Sequence, residues 1–336
     1  MKYRLFLIIA TFAVLGITIT SCSLDDEVRV ATYDGDPKTP ISFNVNIGSL
    51  PDPVVTTRGN ADVSGSTYTF SSGDKVALAI RGVSGSSRPT NSDDLKLYTV
   101  AAGSGTQSLT YASGGSNAFD WLSTSEVISL RAWSLGNSTT TTTDPDGQSI
   151  SISTSQNSDA DTQELLYSPA TNYSYGSINI PLYHQMARIV VNVTSTITTG
   201  VSVTGVQIGH TDYKIPLSGK YAKPSSGNYG SWDLTSVTPT TGVINAKEET
   251  SGSVYSAVVI PAGTSTYAAG NKFIVISTAS SGTFCYTIPT GGFNFEPGKQ
   301  YTFTITSLNQ IDFNVTVNAW DGGSSEPAAT DLTFSN

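Results

Sequence analysis

The stretch Ile41-Ser42-Phe43-Asn44-Val45-Asn46-Ile47 decides the fold class. Its apolar residues Ile41, Phe43, Val45 and Ile47 alternate with serine and asparagine, the period of two of a strand with one buried and one wet face. Outward from it, apolar runs of strand length stand at residues 68–70, 75–80, 95–100, 127–133 and 164–167. They recur at 189–193, 201–208, 254–260, 273–276, 284–288, 301–305 and 311–317. Gly- and Ser-rich connectors separate them, and nowhere does an apolar period of 3.6 persist for three helical turns. The expected fold class is therefore all-β, two tandem antiparallel β-sandwich domains over residues 41–176 and 177–321. The division falls at residues 170–180, where Pro169, Asn172 and Gly176 interrupt the pattern. Residues 137–161, dominated by Thr, Ser and Asp, read as a long exposed insertion.

Composition agrees with strands and turns. Charged residues are only 13% of the chain, yet apolar residues reach 38%, which argues against disorder. Ser, Thr, Gly and Asn replace charge, and they suit pleated surfaces and tight turns. A net charge of −9 excludes the basic footprint of a nucleic-acid-binding protein.

Ahead of the first strand stand Lys2 and Arg4, then an apolar run over residues 5–19 too short to span a bilayer. Residues 1–21 thus read as a signal peptide. The segment Ile19-Thr20-Ser21-Cys22 resembles the bacterial lipobox, which makes Cys22 the expected lipidated N-terminus of the mature chain. Losing Lys2 and Arg4 with the signal takes the net charge from −9 to −11. The only other cysteine is Cys285, and a Cys22–Cys285 disulfide is the alternative use of the pair. Ser23-Leu24-Asp25-Asp26-Glu27 resembles the signal that sends Bacteroidales lipoproteins to the outer face of the outer membrane. A solvated charge run is the alternative there. Residues 22–40 read as a polar tether.

Groups that titrate or attack are scarce. Neither His184 nor His210 has a second histidine or a cysteine at metal-ligand spacing. His184 reads as a hydrogen-bonded residue at the start of a strand, and His210 as a turn residue beside Gly209. Asp144-Pro145-Asp146-Gly147 has spaced carboxylates but lacks the downstream glutamate of a calcium hand, and reads as a surface turn. There is no Gly-x-Ser-x-Gly elbow and no phosphate-cradling loop. The expectation is a protein that is not an enzyme and uses no cofactor or metal. Trp121, Trp133, Trp232 and Trp320 would offer a sugar-stacking platform only if exposed together.

Six landmarks in fixed order resemble the fimbrillin, or Mfa-like, proteins of Bacteroidales. After the lipobox come the first strand with Thr56-Thr57-Arg58-Gly59, then Ser72-Gly73-Asp74-Lys75-Val76 and Glu164-Leu165-Leu166-Tyr167. Leu182-Tyr183-His184-Gln185-Met186-Ala187-Arg188-Ile189-Val190 and Val315-Thr316-Val317-Asn318-Ala319-Trp320 complete the series. The resemblance implies a pilus subunit with two transthyretin-like β-sandwich domains, carried to the cell surface as a lipidated precursor. It also implies that a trypsin-like protease cuts after an arginine behind the first strand and that the groove left by the lost strand takes an extended segment from a neighbouring subunit.

Mapped onto this chain, the cut falls between Arg58 and Gly59, and the displaced strand carries Ile41, Phe43, Val45 and Ile47. Arg29 is the alternative, but a cut there leaves the strand attached. The tail, residues 322–336, places Ala328, Thr330, Leu332 and Phe334 on one face behind a Gly- and Ser-rich linker, with Leu332 and Phe334 as the strong donor-strand knobs. The expected partners are other fimbrial subunits, the protease, the outer membrane through the lipid, and a receptor the sequence does not specify. Stalk, tip and anchor roles all stay open. The competing function is a surface glycan-binding lipoprotein of a polysaccharide-uptake system, which would need exposed tryptophans.

Overall fold

The computed structural model describes residues 39–47, 70–103, 105–112, 118–135, 140–156, 164–193, 201–279, 282–306 and 313–320. Among these residues there are strands and turns and no helix, so the chain is all-β. The first ten strands are β1 (Thr39–Pro40), β2 (Phe43–Ile47), β3 (Lys75–Gly82), β4 (Asp94–Val100), β5 (Gln107–Tyr111), β6 (Asp120–Trp121), β7 (Val127–Leu135), β8 (Ser149–Ser151), β9 (Leu165–Ser174) and β10 (Ile178–His184). There follow β11 (Ala187–Val193), β12 (Val203–Ile208), β13 (Ile215–Pro216), β14 (Ser218–Ala222), β15 (Ser231–Asp233), β16 (Thr241–Gly242), β17 (Ile244–Asn245) and β18 (Lys247–Thr250). The last are β19 (Val254–Val259), β20 (Ala262–Tyr267), β21 (Lys272–Thr278), β22 (Gly282–Thr287), β23 (Phe293–Phe295), β24 (Lys299–Ile305) and β25 (Phe313–Ala319).

Seven strands close into a barrel in the order β10-β2-β5-β4-β3-β7-β9. Six of its joints are antiparallel, and the seventh, β2 against β10, is parallel. An odd ring cannot alternate direction all the way round, so one such joint is unavoidable. Alternation decides which side chains enter: Val76, Leu78 and Ile80 of β3 point into the barrel, while Ala77 and Ala79 face the second half. Trp133, Leu165 and Tyr167 share that outer face, which is why β3, β7 and β9 are buried on both sides.

The second half holds a five-stranded sheet, β18-β19-β11-β24-β25, and a four-stranded sheet, β17-β12-β21-β22. Both contribute to one core, where Phe273, Phe293, Phe295 and Phe303 meet ring to ring. That core is continuous with the outer face of the barrel.

The barrel is closed because β10 returns to pair with both β2 and β9 and removes the free edge. The passage from the barrel to the sheets of the second half comes after His184, at Gln185 and Met186.

One expectation needs correction: of the stretch 137–161 expected as an exposed insertion, the described part, residues 140–156, is packed onto the fold. They form a strap across the two halves: Trp133 Nε1 donates to Thr141 O (3.0 Å), β8 pairs with β14, and Ile150 and Ile152 enter the second core. Gln156, buried, donates to Val258 O (2.9 Å) and accepts from Val258 N (2.7 Å), closing the strap on β19.

The joint itself is polar and satisfied. Gln185 is buried, with its amide donating to Tyr183 O (2.9 Å) and Asn228 O (3.0 Å). Its Oε1 accepts from Tyr221 Oη (3.1 Å) and Gly230 N (2.8 Å). Every hydrogen-bonding group of that amide is thus in use, as a buried polar group requires.

Candidate functional site

The alternating stretch at residues 41–47 is held unevenly by its two neighbours in the barrel. On one side β2 runs parallel to β10 over its whole length, from Phe43 beside Ile178 to Ile47 beside Leu182. On the other it pairs with β5 only through Asn44 beside Ser108 and Val45 beside Gln107. Ile41 N donates to Phe119 O (2.9 Å) and Ile178 N to Ser42 O (2.9 Å), which holds the start of the strand. Outside the barrel, Asn44 Nδ2 donates to Asn179 Oδ1 (3.0 Å) across the parallel joint.

The apolar face of this strand fills four seats in the barrel interior. Ile41, Phe43, Val45 and Ile47 are 6, 1, 0 and 7% exposed, all within the barrel core. The Phe43 seat is the largest, walled by the rings of Tyr98 (5.3 Å between centres) and Phe119 (6.2 Å), both edge-on. Burial pushes the Tyr98 phenol up to about 12, although its oxygen accepts from Phe119 N (3.0 Å).

The chain re-enters the barrel at Phe70, which is buried in the same core. Gln107 Nε2 donates to Phe70 O (2.9 Å), so β5 pairs with Val45 and fastens the return at the same corner. Residues 48–69, with Arg58 and Gly59, link Ile47 to this point and lie outside the described residues. So do Cys22, Arg29, Leu332 and Phe334.

Beyond the far end of β10 is a second group. His184, expected at a strand start, closes β10 instead; it is buried and its Nδ1 is hydrogen-bonded to Glu164. Trp320 stacks on it, ring centres 4.0 Å apart and planes 6° from parallel. Trp320 N also donates to Gly298 O (2.7 Å), while Gly298 N donates to Met186 O (2.8 Å). The last described residue is thereby fixed to the joint. Sequence reading missed this pairing because 136 positions separate residues 184 and 320 and neither carries a local signal of the other.

The remaining candidates hold no chemistry of their own. Asp144 pairs with Arg131 (2.8 Å) and Asp146 with Lys223 (2.8 Å), so the acidic turn is spent on ion pairs. His210 lies in a turn, its Nδ1 accepting from Asp212 N (3.0 Å). Among the described residues no three His, Cys, Asp or Glu side chains come together as metal ligands would. Trp121, Trp133 and Trp320 are buried and Trp232 is half-buried, its Nε1 donating to Gln185 O (2.7 Å), so they make no exposed platform.

A family model described as fimbrillin-like matches residues 57–320. The chain belongs to the fimbrillin-like family. The matched region of this fimbrillin-like chain begins one residue before Arg58 and so leaves β2 outside it. Among solved structures, a candidate cell adhesion protein of Bacteroides uniformis superposes with a TM-score of 0.57 at 15% identity, over 85% of this chain and 99% of that one. A candidate cell adhesion protein of Bacteroides ovatus gives a TM-score of 0.56 at 15% identity, with the same 85% and 99% coverage. At that identity the likeness establishes the shared fold. No curated protein matches the sequence.

Proposed function

We propose that this chain is the lipid-anchored precursor of a fimbrial subunit on the outer-membrane surface, assembled by strand exchange and serving adhesion or biofilm formation. Its two parts, barrel and paired sheets, are read as the tandem transthyretin-like domains of such subunits. A trypsin-like protease cuts after Arg58, the strand with Ile41, Phe43, Val45 and Ile47 leaves with the lipid on Cys22, and a segment of another subunit takes its place. The single observation that carries this reading is that the segment of residues 41–47 is paired on both sides through β2 and fills four interior seats, yet is joined to the strands that follow only through residues 48–69. Its loss opens the barrel between β5 and β10.

Energetics explain why a cut is needed. Each fully buried side chain of this size contributes about 1.5 to 3 kcal/mol, so four seats hold β2 by about 6 to 12 kcal/mol, against about 3 to 6 for Leu332 and Phe334. A strand tethered in the same chain also competes at an effective concentration of roughly millimolar or above. The uncut subunit therefore keeps its own strand and stays monomeric. An alternative cut at Arg29 would leave β2 attached and the barrel shut.

The test is limited trypsin digestion of the recombinant protein. The expected product begins at Gly59, releases the preceding fragment and oligomerises when concentrated, while Arg58→Ala remains monomeric. A clean cut with no oligomer at any concentration would remove the assembly role. The glycan-binding alternative has no support from the tryptophans, whose indoles are used in packing.

A further inference from the structure

We infer that β22, the outer strand of the four-stranded sheet, is a docking edge for a second copy of this chain, paired antiparallel about a two-fold axis at Cys285. The two four-stranded sheets then run on as one sheet of eight strands. This contact is independent of cutting and of strand exchange, since it lies in the second half of the chain.

Of the two edges of this sheet, the strap covers one. At β17, Asn245 N donates to Thr154 O (2.7 Å) and Gln156 N to Asn245 O (3.1 Å). β22 pairs with β21 from Gly282 to Thr287 and, among the described residues, with no strand beyond it. Which of its groups face outward follows from the ladder. Ile288 N donates to Asn271 O and Gly270 N to Ile288 O, both at 2.8 Å, so Ile288 turns its groups to the β21 side. Alternation gives the same direction to Phe284 and Tyr286, and the opposite one to Thr283, Cys285 and Thr287. β21 agrees, because Gly209 N donates to Phe273 O (2.6 Å) and so sets the odd-numbered residues of β21 toward β12. Thr283, Cys285 and Thr287 therefore each present an N–H and a C=O to the open side.

The residues of this edge say what fits it. Thr283-Phe284-Cys285-Tyr286-Thr287 reads alike in both directions by residue class. Turned against itself, Thr283 meets Thr287 of the second copy, Phe284 meets Tyr286 of the second copy, and the two Cys285 residues meet at the axis. Threonine pairs and aromatic pairs are favourable cross-strand neighbours. Half-buried Phe284 gains cover from the facing tyrosine. Edges that avoid one another carry charge, proline or a bulge. Gly282–Thr287 has no charged residue and no proline, and the irregularity beside it lies on β21, between Lys272 and Ile274. β18, an edge of the other sheet, shows the contrast with Lys247, Glu248 and Glu249. A second copy at β22 brings no like charges face to face.

Geometry and symmetry set the strength and the size of the complex. Each outward residue and its opposite exchange both backbone hydrogen bonds, with Cα atoms about 5.5 Å apart. A contact of one short strand is weak, so dilute copies stay apart and pairing fills only where copies are crowded. A two-fold contact also closes on itself, which gives a dimer and not an open chain of subunits.

The test uses the uncut full chain with Cys22→Ser, which leaves Cys285 as its only thiol, oxidised with copper phenanthroline at rising protein concentration. Cα atoms about 5.5 Å apart suit a disulfide, so the expected product is a linked dimer and nothing larger. With Cys285→Ser added, chains carrying Thr283→Cys should link to chains carrying Thr287→Cys. Neither should link to its own kind, because like positions lie four residues out of register. Thr283→Lys with Thr287→Lys, both at exposed positions, should reduce the Cys285 link about tenfold by setting lysines opposite one another. Links formed equally by every single-cysteine chain, links that survive the lysines, or no dimer at the highest soluble concentration would overturn the pairing. The chain stays uncut throughout, so none of these outcomes bears on the loss of β2.

Discussion

The indole of Trp320 lies flat on the imidazole of His184, with ring centres 4.0 Å apart. His184 ends β10 and Trp320 directly follows the last strand, β25, so one stack ties the barrel to the end of the second half. Trp320→Ala should cost about 3 to 5 kcal/mol, as expected for losing a buried tryptophan. Thermal unfolding would register this as a lowered midpoint, and an unchanged midpoint would mean the stack is dispensable.

Phe43→Ala should weaken the hold of the first strand more than any other single change in it. Phe43 is 1% exposed between two aromatic rings, and truncation of a buried phenylalanine costs about 3 to 5 kcal/mol. The measurable consequence is faster release of the N-terminal fragment after cleavage, compared with the wild-type sequence under the same digestion.

Gln156→Ala should loosen the strap over residues 140–156. The side chain serves both the N–H and the C=O of buried Val258, and leaving such groups unpaired costs about 1 to 3 kcal/mol. Denaturant titration would show the loss, accompanied by new protease cuts within the strap. Arg131→Ala, which removes partly exposed ion pairs to Asp93 and Asp144, should cost less, about 1 kcal/mol or below.

Gly298→Ala should be destabilising for two reasons at once. The residue has a φ of +69°, and an added Cβ would stand 2.2 Å from Tyr229 Cε1. Tyr229→Ala in the same chain should restore only the steric share of the loss, because the backbone conformation stays unfavourable for alanine.

Alkaline pH should unfold the protein steeply. Burial raises the phenols of Tyr98 and Tyr301 to about 12, and those of Tyr167, Tyr221 and Tyr286 higher still. Each such group stabilises the fold fully below its unfolded value of about 10 and loses that contribution as pH rises through the folded value. Tyrosinate absorbance and loss of β-structure should therefore rise together between about pH 10 and 12. Titration of these phenols well before unfolding would contradict their burial.

The first strand was legible because its alternation survives in seven consecutive letters. β10 was not, since Asn179 and Pro181 break its apolar run and its partner β2 lies 135 positions away. β5 reads as polar because Gln107 spends its side chain on Phe70 O and Ser108 faces outward. The strap had only Ile150 and Ile152 to signal burial among Thr, Ser and Asp. Closure of the barrel depends on these long-range pairings, so sequence periodicity shows the strands and not the ring. The four seats of the candidate site were readable individually; the walls around them were not.

The most direct test is hydrogen exchange along Ile178–His184 and Gln107–Tyr111, in a chain ending at Asp321 so that no tail can fill the slot. Slow exchange is expected before cleavage after Arg58, and fast exchange confined to these two walls once the fragment is removed. Equal protection before and after removal would show that β2 holds no slot open to exchange, and would contradict the account.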